Sequence, residues 1–107
     1  MESCMELEQI LSILHLHAQE LRKFGVRHLW LFGSYVRGEA REDSDLDILV
    51  EFEPGRKTFD NYMELKFFLE DLLGVEVDLI TVEALKPRVR KYIWSEAVSV
   101  EGLQAVR

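Results

Sequence analysis

The chain has 107 residues, 20 of them acidic against 13 basic, for a formal net charge of −7. That length suits one domain spanning 1–107 with a single core and leaves no room for a separate substrate-binding domain; the acidic balance argues against a protein that grips a nucleic-acid backbone directly. A lone cysteine, Cys4, excludes an internal disulfide and a thiolate zinc cluster, and there is no apolar run of the roughly 20 residues that span a bilayer. The opening residues lack the basic start and apolar stretch of a signal peptide, so a soluble, cytoplasmic protein without membrane contact is expected.

Apolar residues Leu7, Ile10, Leu11, Leu14, Ala18 and Leu21 recur at three- and four-residue steps. They predict one amphipathic helix from about Glu6 to Phe24, stopped by Gly25. A strand follows over His28 to Phe32, then Gly33-Ser34 opens a short helix or turn that closes at Gly38, with Ser34 as its N-cap. Residues Glu39 to Ser44 form a charged loop, and Asp45 to Phe52 reads as the second strand, carrying Asp45, Asp47 and Leu49 on one face. The spacing of Tyr62, Leu65, Leu69 and Leu72 predicts a helix over Phe59 to Leu73, ended by Gly74.

The third strand is expected over Val75 to Thr81, with Asp78 on the face opposite Val77 and Leu79. Pro87 suits a helix start, and Val89, Ile93 and Trp94 anchor a last helix from Arg88 to about Ala97; the tail from Ser99 shows no pattern. The order implies an α/β (α+β) fold: a small mixed sheet of three or four strands flanked by helices. The connection between the first two strands is shorter than the dozen or so residues a parallel crossover needs, so that pair is antiparallel and a doubly wound Rossmann fold is excluded.

Chemistry concentrates in residues 32–50, where Gly33-Ser34 precedes Asp45 and Asp47 with ten residues between. Two carboxylates on one strand face, joined by Asp78 from a later strand, form a donor set for one or two hard cations, Mg²⁺ above all. In a two-metal displacement Asp45 and Asp47 bridge both ions and Asp78 completes the catalytic one, while Gly33 and Ser34 hold terminal phosphates through backbone amides and a hydroxyl. Taken singly, a Gly-Ser turn, an Asp-x-Asp pair and a strand aspartate are each common structural features; their combination is what points to nucleotidyl transfer. Arg37 either adds charge to the phosphate cradle or pairs with Glu39 or the acidic cluster.

His15 and His17 face different ways on a helix and read as structural or surface residues, and Trp30 and Trp94 as core. Lys86, Arg88, Arg90 and Lys91 read as a solvated helix face, with contact to a nucleotide or partner as the alternative.

The segments Leu-Phe-Gly-Ser-Tyr-Val-Arg-Gly, Ser-Asp-Leu-Asp-Ile-Leu-Val-Glu-Phe and Val-Asp-Leu-Ile-Thr resemble the minimal nucleotidyltransferase family of the DNA polymerase β-like superfamily, from Val26 to about Ala97. The resemblance implies that superfamily's fold, an ATP substrate, two Mg²⁺ ions, metal-binding and catalytic roles for Asp45, Asp47 and Asp78, and a nucleotide-binding role for Gly33 and Ser34. Chains this small look like the MntA-like antitoxins of type VII toxin–antitoxin systems. It therefore implies transfer of AMP from ATP to a tyrosine of a HEPN-domain ribonuclease toxin, in a hetero-oligomer with that toxin. Two alternatives are neutralisation of the partner mainly by complex formation and nucleotidyl transfer to a small molecule.

Overall fold

The computed structural model describes residues 6–100 and 102. The first helical segment is two helices, α1 (Leu7–Leu16) and α2 (Ala18–Lys23), where the spacing predicts one. The break is at His17, with φ −105° and ψ 23°; its Nδ1 lies 2.9 Å from the Ile13 carbonyl oxygen, so the ring returns to the turn it interrupts. Buried Ile10 and Leu14 on α1 and Ala18 and Leu21 on α2 still supply the expected apolar stripe. The periodicity survives the break because both pieces pack on the same core.

Four strands form the sheet: β1 (Val26–Phe32), β2 (Leu46–Phe52), β3 (Val77–Thr81) and β4 (Val98–Ser99), in the order β3-β2-β1-β4. β1 begins two residues before the expected His28, and β3 two residues after the expected Val75. β1 runs antiparallel to β2 and to β4, while β2 and β3 are parallel. The mixed sheet with an antiparallel first pair is therefore as expected. β4 is an addition, because the chain beyond Ala97 carries too few alternating residues to announce a strand.

The parallel pair is joined by α4 (Phe59–Leu73), which matches its predicted span. Thr58 accepts a hydrogen bond from the Asn61 amide at 3.1 Å and caps its start; Leu65, Leu69 and Leu73 are its buried face. Glu70 receives Lys66 at 2.8 Å and the Val77 amide at 3.0 Å, tying α4 to the start of β3. After a single 3₁₀ turn (Val82–Ala84), α5 runs over Pro87–Glu96, one residue earlier at each end than expected.

Both faces of the sheet are covered. On one, Leu29, Leu31, Leu46, Ile48 and Val50 pack with α1, α2 and α4 in the main core. On the other, Phe32 and Leu49 meet Leu85 and Ile93, with Trp30, Ile80 and Val82 at the margin. Trp94 is not core as expected: it is 37% exposed and stands edge-on to Trp30, centroids 4.7 Å apart. Among the described residues no helix is long and apolar enough to cross a membrane.

Candidate active site

The α3 turn (Ser34–Arg37) leaves β1 directly, so the first residue after the strand must reverse the chain. Gly33 does this with φ +87° and ψ −154°, a conformation that side-chain-bearing residues rarely adopt. It also serves a second purpose. A Cβ at Gly33 would stand 2.0 Å from Asp47 Oδ2, so only glycine lets the turn lie against that carboxylate. The N-cap is Gly33 itself, without a side-chain cap bond; Ser34, expected there, is the first helical residue and half-buried. Gly38 closes the turn in the left-handed conformation.

Strand register brings the acids together. Phe32, the last residue of β1, pairs with Asp47 on β2, and Asp47 pairs with Asp78 on β3. Two-residue periodicity then fixes the face: Asp47 shares the side of Leu49, against which α5 packs, and not that of the fully buried Leu46 and Ile48. Asp45 lies one residue ahead of β2 instead of within it, and both Asp45 and Asp78 are exposed while Asp47 is half-buried.

Burial pushes the Asp47 carboxyl up to about 6, helped by the charges of Asp78 and Asp45 and a hydrogen bond shared with Asp78; Arg37 opposes the shift. The trio thus acts on one point electrostatically. Yet among the described residues no three His, Cys, Asp or Glu side chains close into a ready cage for an ion. The donors are hard oxygens only and the space against Asp47 is kept open by a missing Cβ, so the set suits a hard divalent cation such as Mg²⁺.

Arg37 pairs with Glu39, as one of the two readings of its role has it, and also with Glu96. Its Nε donates to Glu39 at 3.0 Å and its Nη1 to both oxygens of Glu96 at 3.2 Å, and these partners, Glu39 first, raise its pKa. Glu96, at the last position of α5, was not singled out by the sequence. Its Oε2 accepts the Gly33 amide at 2.7 Å, a contact across 63 residues that no local motif marks. Gly33, Arg37, Asp47 and Glu96 share the wall of a cavity of about 540 Å³, whose apolar side includes Ile80, Leu85 and Ile93. Lys86 also lines it, whereas Arg88, Arg90 and Lys91 form an exposed face of α5.

A mixed sheet that sets a Gly-Ser turn against aspartates on two neighbouring strands defines a nucleotidyl-transferring enzyme of minimal size. The nucleotidyltransferase domain model matches residues 14–100. The protein adenylyltransferase MntA of Thermococcus cleftensis is 50% identical over 97 residues, which cover 90% of this chain and 97% of that protein. A solved structure described as a minimal nucleotidyltransferase is 45% identical, with a TM-score of 0.76 over 91% of this chain and 98% of that one. The fold is shared, at 20% identity and a TM-score of 0.55 over 81% of this chain and 71% of that one, with a structure of a tri-AMPylated Shewanella oneidensis HEPN toxin in complex with its MNT antitoxin. The chain belongs to the nucleotidyltransferase domain family and is a nucleotidyltransferase.

Proposed function

We propose that the protein is a Mg²⁺-dependent protein adenylyltransferase that moves AMP from ATP to a hydroxyl of a HEPN-domain toxin, and so acts as its antitoxin. The observation that carries this reading is the register Phe32–Asp47–Asp78 beside the Gly33 turn, with the cavity opening next to it. The acceptor class rests on the similarity to the Thermococcus adenylyltransferase and on the fold shared with the toxin–antitoxin complex. A chain that folds around one sheet provides the nucleotide side of the reaction and takes its acceptor from a partner surface.

Asp45, Asp47 and Asp78 would hold the metal, and Mg²⁺ supplies Lewis-acid stabilisation of the charge that develops on the phosphate oxygens. The Gly33 amide and Ser34 hydroxyl, with Arg37, hold the β- and γ-phosphates, leaving the α-phosphorus toward the aspartates. Asp78, exposed on β3, accepts the proton of the incoming tyrosine hydroxyl. The new bond joins that oxygen to the α-phosphorus, the bond to the bridging oxygen breaks, and diphosphate leaves. Ile80, Leu85 and Ile93 offer an apolar wall on the other side of the cavity against which the uncharged part of the nucleotide packs.

The test is incubation with α-labelled ATP, Mg²⁺ and the protein encoded by the neighbouring gene. Label on a partner tyrosine is expected, and its loss in Asp47→Ala. An unlabelled partner, or undiminished labelling by that variant, refutes the proposal.

A further inference from the structure

The cradle that the nucleotide reading assigns to phosphate already holds an anion. Glu96 directs Oε2 to the Gly33 amide at 2.7 Å and both carboxylate oxygens to Arg37 Nη1 at 3.2 Å. Its side chain is only 15% exposed, whereas that of Arg37 is 39% exposed. A backbone N–H and a guanidinium converging on two oxygens is the donor arrangement that also receives a phosphate group. Glu96 lines the same cavity as Gly33, Arg37, Asp47 and Lys86, so the pair stands where a ligand in that cavity would meet it.

We propose that Glu96 is an internal competitor for the polyphosphate of the nucleotide: the nucleoside triphosphate enters by displacing this carboxylate from Gly33 and Arg37, and Glu96 thereby sets the affinity. The inference rests on the nucleotide reading above. Its physical basis is exchange of one charge-assisted set of hydrogen bonds for another.

Calorimetric titration of the full chain with tripolyphosphate, a non-hydrolysable ATP analogue and adenosine, each with Mg²⁺, tests the exchange in wild type, Glu96→Gln and Glu96→Ala. Tripolyphosphate and the analogue are expected to bind both variants about tenfold to a hundredfold more tightly, the range commanded by a charge-assisted hydrogen bond. Adenosine is expected to show no change. Equal or weaker polyphosphate binding by the variants overturns the proposal and makes Glu96 a support for Arg37. Absence of binding to the wild type and both variants overturns the nucleotide reading itself, and is distinguished by the silent wild type. A measurement on the unaltered protein stands beside these: the Glu96 side-chain carboxyl resonance must shift when tripolyphosphate saturates the site, and an unmoved resonance in the bound state overturns the exchange.

Discussion

Replacing Asp47 by Asn is expected to make the metal-free protein more stable while abolishing its activity. The carboxyl is raised from 3.8 to about 6, chiefly by burial and then by Asp78 and Asp45. That rise corresponds to about 3 kcal/mol of strain in the ionised form at pH 7. Asp47 is only half-buried, so solvent screening brings the expected gain from Asn to about 1–2 kcal/mol. Because the folded pKa lies above the unfolded one, the native state takes up the proton first as pH falls. Wild-type stability should therefore rise on acidification from pH 7 through about 6 toward 4, as far as this group decides it, and the advantage of Asp47→Asn should vanish over the same window. Urea denaturation in EDTA at several pH values measures both. Addition of Mg²⁺ at pH 7 should stabilise the wild type and leave Asp47→Asn behind, reversing their order. A variant less stable than the wild type at pH 7 without metal, or an advantage that persists unchanged at pH 4, would refute the electrostatic account of the site.

Gly33→Ala combines a backbone conformation costing of order 1–3 kcal/mol with a methyl group 2.0 Å from Asp47 Oδ2, so nucleotidyl transfer should be lost and unfolding by urea should shift accordingly. Leu31→Ala, at a fully buried position in the main core, should cost about 2–5 kcal/mol in the same experiment. Thr58→Ala removes only the cap of α4 and should cost about 1 kcal/mol while leaving specific activity unaltered in a labelling assay.

What could be read from the sequence follows how local each determinant is. α4 was legible to the residue because its apolar spacing and its terminal Gly74 lie within one segment. So was the antiparallel pairing of β1 and β2, which follows from loop length alone. The division of the first helix at His17 was hidden, since the apolar stripe continues across it and the side-chain contact to Ile13 has no compositional mark. The positions of Gly33, Asp47 and Asp78 followed from strand ends and alternation. That Asp45 stands just outside its strand, and that burial and the neighbouring Asp78 push the Asp47 carboxyl up to about 6, depends on how the strands are brought together. Glu96 illustrates the limit most clearly: a glutamate at a helix end is ordinary in sequence, and only the fold carries it to Gly33.

The position of β3 as the outermost strand on its side of the sheet has a consequence for the behaviour of the protein in concentrated solution. A free strand edge invites the strand of another molecule, and a short span bearing a charge is one of the ways in which natural sheets discourage that addition. β3 has five residues, and its exposed Asp78 sits among Val77, Leu79 and Ile80. Asp78 is the one charge in that short strand, whose other residues are Val77, Leu79, Ile80 and Thr81, and Asp78→Asn is expected to raise self-association, which light scattering on concentrated protein measures.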